Sequence, residues 1–119
     1  MEDAPIIRVS NLTAGYGEVV ILKDVSFEVA RGEVLVLVGG SGCGKSTLLK
    51  HMIGLLPPIK GSIEIDGLDI ATAREKEYRL LLKKIGVLFQ GAALLGSLTV
   101  GENVALPFAE HRGMSLRDV

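Results

Sequence analysis

The chain has 119 residues, which is enough for one domain with a modest core and too few for two ordinary domains. Its formal net charge is −1, and no run of Lys or Arg is longer than Lys83-Lys84, so the basic stretch typical of nucleic-acid binding is absent. The single cysteine, Cys43, excludes an internal disulfide framework, and nothing near Met1 resembles a signal peptide, so we expect a reducing, cytoplasmic environment.

The mean hydropathy of +0.41 raises the question of a membrane span. The longest uncharged stretch, Ile85 to Gly101, is interrupted by glycines and polar residues. It also falls short of the roughly 18 consecutive apolar residues that a spanning helix needs. We therefore predict a short strand followed by an apolar loop.

Short strands are predicted before residue 33. Ile6 to Leu12 alternates loosely, and Val19 to Leu22 with Val25 to Val29 are typical of the two arms of an antiparallel ribbon. Arg31-Gly32 would then turn the chain into the next strand. The sequence thus predicts three strands in this region.

A buried strand, a glycine-rich turn and a helix are predicted next. Val34 to Val38 is a continuous apolar run of the kind found in strands buried on both faces. Gly39, Gly44, Lys45 and Ser46 then fit G-x-x-x-x-G-K-[ST], the P-loop pattern. Its backbone N–H groups surround phosphate oxygens, its lysine adds a charge, and its helix N-terminus adds dipole attraction. The hydroxyl of Ser46 is the candidate ligand for Mg²⁺.

After the P-loop, Leu48, Leu49, Met52 and Ile53 fall at helical spacing, and the helix is predicted to stop before Pro57-Pro58. We expect His51 and His111 to be structural or exposed, and neither to be a metal ligand.

Further elements are predicted in the second half of the chain. Ser62 to Asp66 alternates as a half-buried strand, and Thr72 to Lys84 is amphipathic with Glu75 and Arg79 at i,i+4 on its polar side. Val87 to Phe89 is predicted to be a short buried strand ending at Gln90. A helix is predicted to open at Thr99 and end at Pro107, and Ser115 to cap another.

With these motifs in place, the chain resembles the N-terminal half of an ABC transporter ATP-binding subunit over nearly its whole length. GGSGCGKST matches the Walker A motif of that family, Tyr16 matches its adenine-stacking aromatic, and LFQ ending at Gln90 matches its Q-loop. The resemblance implies an α/β fold: a partial P-loop NTPase core with an N-terminal antiparallel β subdomain. The β subdomain would comprise about 5–32 and 61–67, the core about 33–56 and 85–91, and the start of the helical region about 99–119.

The same resemblance implies the site. Gln90 would be a catalytic residue that reaches Mg²⁺ and the attacking water, and Ser46 would be the second metal ligand. ATP would be bound by these residues: Tyr16, Gly39, Gly40, Ser41, Gly42, Cys43, Gly44, Lys45, Ser46 and Thr47.

One branch of the family is closer than the others. GVLFQGAALLGSLTVGENVALPF looks like the ATPase of the phospholipid transporter that maintains outer-membrane lipid asymmetry, the organic-solvent-resistance type. The implied partners are a second ATP-binding subunit in a homodimer and a transmembrane permease subunit, with no nucleic acid and no lipid bound directly. The implied location is the inner face of the cytoplasmic membrane, as a peripheral subunit.

Several family motifs are missing from the sequence: a Walker B run ending in Asp-Glu, an LSGGQ-like signature and a switch histidine. We expect them to lie beyond Val119. Asp66 is rejected as Walker B because Glu64 interrupts the apolar run before it. In the family's sheet order the Walker B strand lies beside Val87 to Phe89, so a chain of these residues alone would leave that strand with an open edge.

Three alternatives remain. The chain is part of an ATPase subunit of this or another ABC importer, or it is a nucleotide-binding fragment without catalysis. A different P-loop class such as a GTPase is disfavoured because no NKxD motif occurs.

Overall fold

A computed structural model describes residues 4–40, 42, 44–89 and 94–112. The chain divides into two compact units, Met1–Leu81 and Leu82–Val119. We describe each unit by itself.

The first unit is built on a four-stranded antiparallel sheet. Its strands are β1 (Ile7–Tyr16), β2 (Val19–Val29), β3 (Lys60–Ile65) and β4 (Leu68–Asp69), in the spatial order β2-β1-β3-β4. β1 is therefore central, because it pairs with β2 on one side and with β3 on the other. The strand predicted over residues 62–66 is confirmed as β3.

β1 and β2 form one long hairpin. The turn follows Tyr16, where Gly17 takes a φ of +56° that side chains disfavour, and Tyr16 then pairs with Val19. The prediction of two separate strands within residues 19–29 is wrong. The ladder continues through Asp24, which adopts a φ of +55°, and register shifts against β1 absorb the irregularity.

The core of the first unit is formed by strand and helix side chains. β1 and β3 contribute fully buried Leu12 and Ile63, and helix α1 (Lys45–Met52) adds Leu48 and His51. Burial of large aliphatic side chains at this depth stabilises a fold by about 1.5–3 kcal/mol each. The remaining buried apolar residues of this unit are Val9, Ala14, Val29, Ile65 and Leu81.

Helix α2 (Glu75–Leu82) is tied to the end of α1. The hydroxyl of Tyr78 donates to the carbonyl of Ile53 at 2.7 Å. The predicted i,i+4 pair is confirmed, since Arg79 Nη2 lies 2.6 Å from Glu75 Oε1.

The strands predicted over Val34–Val38 and Val87–Phe89 are not formed. Both segments lack regular secondary structure, and Val34, Val38 and Leu88 are 86%, 90% and 86% exposed. A strand needs a neighbour to hydrogen-bond with, and the sheet among the described residues includes neither segment. The apolar pattern is that of buried strands, but it does not supply the partner.

The second unit contains helix α3 (Val100–Arg112). A reciprocal cap starts it: Glu102 N–H donates to Thr99 Oγ1 at 3.1 Å, and Thr99 N–H donates to Glu102 Oε1 at 2.9 Å. The prediction that Pro107 ends this helix is wrong. Proline removes one helical hydrogen bond, to the carbonyl of Asn103, and the helix continues beyond it.

The side chain of Asn103 joins α3 to the loop before it. Its Oδ1 accepts from Leu95 N–H at 2.9 Å, and its Nδ2 donates to the carbonyls of Leu95, Leu98 and Thr99 at 3.2, 3.3 and 2.8 Å. None of the helices in the described part of the chain is long and apolar enough to cross a membrane.

Candidate functional site

The glycine-rich turn leads directly into α1. Gly44 is the N-cap with φ +98° and ψ +6°, and its carbonyl accepts from Leu48 N–H at 2.9 Å. No side chain caps this helix and its first turn carries no acidic residue. Because the first N–H groups of a helix have no partner within it, the start of α1 presents donors and a positive dipole end with no built-in anion.

Packing also dictates a glycine at position 44. A β-carbon there would lie 2.9 Å from Leu22 Cγ and 3.0 Å from Ile21 Cγ2, both side chains of β2. The positive φ disfavours a side chain independently of that contact. The turn is thus held against the hairpin at its last glycine.

The ammonium of Lys45 lies back along the turn and donates to the carbonyl of Gly39. The first glycine and the lysine of the pattern are therefore brought together. Ser46 follows with an exposed side chain, whereas Thr47 is buried.

These residues fit a triphosphate. A β-carbon built at Gly40 or Gly42 would meet nothing within 4 Å, so the turn is open on the side that these glycines face. Unpartnered helix donors, a lysine ammonium and an open backbone are the chemistry that binds phosphate oxygens. For Mg²⁺, the exposed hydroxyl of Ser46 is an oxygen ligand of the preferred kind.

Tyr16 lies at the end of β1 and is 42% exposed. Its phenol oxygen accepts hydrogen bonds from Thr47 Oγ1 at 3.4 Å and from Lys50 Nζ at 3.3 Å. These donors favour the phenolate, so the bond from Thr47, and after it the one from Lys50, lowers the pKa of Tyr16 below its ordinary value. The candidate adenine-stacking residue is thus connected to the P-loop helix.

His51 is one of the residues that α1 buries, in agreement with the expected structural role. The residues that this helix buries are Thr47, Leu48 and His51, whereas Leu49 is 50% exposed. His51 is completely buried, with Nδ1 2.8 Å from the carbonyl of Thr47 and Nε2 3.4 Å from Gly15 N–H. Since Gly15 can only donate, Nε2 is the acceptor and Nδ1 carries the proton.

Lys50 and His51 were missed as site-forming residues. The available signal was their spacing, because positions 47, 50 and 51 share one face of a helix. The remaining predicted site residues, Ser41, Cys43 and Gln90, lie outside the described residues, as does Ser115. Among the described residues, no group of His, Cys, Asp or Glu is placed to hold a metal ion.

Comparison with known proteins gives consistent matches. The family model described as ABC transporter matches residues 22–118. The chain is 45% identical over 116 residues to mkl, a probable ribonucleotide transport ATP-binding protein of Mycobacterium leprae, covering 95% of this chain and 33% of that protein. It is 41% identical over 104 residues to the methionine import ATP-binding protein MetN of Brucella abortus, covering 87% of this chain and 28% of MetN. The chain therefore spans about a third of the length of these curated relatives.

Solved structures match as well. The ATP-binding cassette MJ0796, a dimer in a post-hydrolysis state with ADP and Pi bound, superposes with a TM-score of 0.80 at 34% identity, covering 94% of this chain and 51% of that one. A bacterial Atm1-family ABC exporter with ATP bound superposes with a TM-score of 0.74 at 34% identity, covering 89% of this chain and 18% of that one.

Proposed function

The chain belongs to the ABC transporter family, and on that premise we propose that it is the ATP-binding part of a transport ATPase. Family membership and the solved relatives confirm the predicted P-loop ATPase fold class. ATP as the ligand of this chain is supported by relatives solved with ATP or with ADP and Pi.

The start of α1 is the observation that carries the proposal. An uncapped helix N-terminus at Gly44, with the Lys45 ammonium beside Gly39, forms a cationic, donor-rich turn. The triphosphate would lie against this turn, with Lys45 moving from its carbonyl partner to the phosphates. Residues 39–47 would hold the phosphates, and Tyr16 would stack on adenine.

We propose Ser46 and Gln90 as the ligands of Mg²⁺, and Gln90 as the residue that orients the attacking water. When bound, Mg²⁺ supplies charge neutralisation at the phosphate oxygens. The proposed layout keeps the antiparallel β subdomain at about 5–32 and 61–67, the P-loop core at about 33–56 and 85–91, and the start of the helical region at about 99–119.

Removing the charge of Lys45 tests the phosphate site. In Lys45→Ala, ATP-Mg²⁺ affinity should fall about ten- to a hundredfold, because hydrogen bonds to charged groups contribute about 1.5–3 kcal/mol. Isothermal titration calorimetry measures the change. Lys76→Ala is the matched control, since it removes the same charge from the exposed side of α2.

Two outcomes would overturn the phosphate site. One is ATP affinity unchanged in a folded Lys45→Ala variant. The other is an equal loss in Lys76→Ala, which would mean that overall charge, rather than the turn, attracts ATP.

A polypeptide of these 119 residues should bind ATP without turning it over. Its sequence contains no Walker B carboxylate, and the P-loop holds ground and transition states about equally, which does not accelerate the chemical step. Phosphate release over multiple turnovers, measured on protein whose mass matches this sequence, checks this. Turnover that Lys45→Ala abolishes would require a catalytic carboxylate within the chain, and Asp66 and Glu102 would be substituted first.

For the complete subunit we propose ATP hydrolysis coupled to phospholipid transport, in a homodimer that binds a transmembrane permease subunit at the inner face of the cytoplasmic membrane. The dimeric state of MJ0796 supports the dimer, and the sequence from Gly86 to Phe108 supports the lipid substrate. No nucleic acid and no direct lipid contact are part of this proposal. Another importer is the second candidate, because one relative is named for methionine import.

Reconstitution separates these substrates. The ATPase subunit would be placed in vesicles with the membrane subunits encoded beside it, and ATP hydrolysis measured with phospholipid or with methionine as the transported molecule. Stimulation by methionine and not by phospholipid would overturn the lipid assignment.

A further inference from the structure

Helix α1 contacts the ring of Tyr16, the candidate adenine-stacking residue, and the backbone of its neighbour Gly15. Lys50 and Thr47 donate hydrogen bonds to the phenol oxygen of Tyr16. His51 accepts a hydrogen bond from the N–H of Gly15, the residue that precedes Tyr16. Positions 47, 50 and 51 lie on one face of the helix that begins at the phosphate-binding turn. Tyr16 and the phosphate site are therefore connected through one rigid helix, α1.

Lys50 is the exposed residue among the three α1 residues that make this connection, so it can be substituted with the least effect on the core. Its ammonium lies 3.3 Å from the phenol oxygen and 5.6 Å from the ring centre, which places it toward the hydroxyl end of the ring. The contact thus restrains the ring without covering the centre of a face. His51, by contrast, is completely buried and belongs to the core.

We propose that Lys50 is a positioning residue that orders the Tyr16 ring for the nucleobase, so that it sets the base-dependent part of nucleotide affinity. This inference rests on the proposed ATP site. A ring that is already restrained loses less side-chain entropy when a purine stacks on it, and that loss is about 0.5–1.5 kcal/mol for a freely rotating side chain. The corresponding change in affinity is about two- to tenfold.

The test compares ATP with inorganic tripolyphosphate, which has the phosphates and no base. Lys50→Met keeps the aliphatic stem and removes the donor and the charge. We expect it to weaken ATP binding about two- to tenfold and to leave tripolyphosphate binding unchanged, both in the presence of Mg²⁺. Lys50→Arg should restore ATP affinity because a guanidinium also donates to the phenol oxygen.

A second readout needs no nucleotide. In a Tyr78→Phe background Tyr16 is the only tyrosine, so its ionisation can be followed by ultraviolet absorbance. Lys50→Met should raise the pKa of Tyr16, because it removes one of the two bonds that lower it. The thermal unfolding midpoint should stay unchanged in Lys50→Met. If Lys50 were merely structural, the Tyr16 titration would change only together with that midpoint.

Each outcome decides the matter. Equal weakening of ATP and tripolyphosphate would mean that Lys50 attracts phosphate directly and would overturn the inference. Unchanged ATP affinity, or an unchanged Tyr16 titration, would overturn it as well while leaving the phosphate site intact. Failure of the unsubstituted chain to bind either ligand would overturn the proposed function, and this inference with it.

Discussion

The two units achieve order in different ways. In the first, β1 pairs on both sides and its buried side chains meet those of β3 and α1. In the second, hydrogen bonds from Thr99, Glu102 and Asn103 define the start of α3. Its apolar side chains are largely exposed, with Leu94 at 70% and Val104 at 60%. The first unit therefore depends on burial, and the second on side-chain bonds to the backbone.

Shortening one apolar side chain in each unit should give the largest contrast. Ile63→Ala removes a completely buried side chain and should lower the free energy of unfolding by about 2–5 kcal/mol. Val104→Ala alters a side chain that is 60% exposed and should change it by less than about 0.5 kcal/mol. Urea denaturation followed by circular dichroism measures both values. Similar losses for the two variants would break the comparison, since they would place Val104 in a core.

Asn103→Ala should give an intermediate effect confined to the second unit. The substitution leaves Leu95 N–H and the carbonyls of Leu98 and Thr99 without this partner, and such bonds contribute about 0.5–1.5 kcal/mol each. Amide hydrogen exchange should accelerate over residues 95–104 and stay unchanged in β1. Asn103→Asp keeps the acceptor and loses the donors. Its exchange over residues 95–104 should therefore be faster than in the unsubstituted chain and slower than in Asn103→Ala. Faster exchange in β1 as well would show that the two units share stability.

Acidification should give the smallest effect, at the α3 cap. The bond from Thr99 N–H, and then that from the Thr99 hydroxyl, lowers the pKa of Glu102 below its ordinary value of 4.5. A lowered folded-state pKa means that the stabilisation is present at neutral pH and is lost as the pH falls through that lowered value. The protection of the Thr99 amide, meaning how much more slowly it exchanges than an unstructured peptide does at the same pH, should therefore fall in acid. Glu102→Gln should abolish this dependence, and an identical acid response in that variant would assign it to another group.

Local patterns carried the sequence predictions that hold. The P-loop spacing placed the start of α1, and alternation over SIEID placed β3. What the sequence could not supply was pairing at a distance. Tyr16 and Lys50 are 34 positions apart, and only the fold brings them together. Val34 to Val38 has the composition of a buried strand, but composition does not provide the neighbour that a strand requires.

Gly44 answers to two independent requirements. Its left-handed backbone shapes the turn, and its missing side chain makes room for Leu22 and Ile21 of the hairpin. A larger residue at this position would disturb the β2 side chains whether or not any anion were near. A library of variants screened only for ATP binding would therefore find Gly44 essential. It would not show whether the positive φ or the missing side chain is the cause. Gly44→Ala combined with smaller side chains at positions 21 and 22 would relieve the steric contact and leave the cost of the positive φ. The two requirements could then be measured separately.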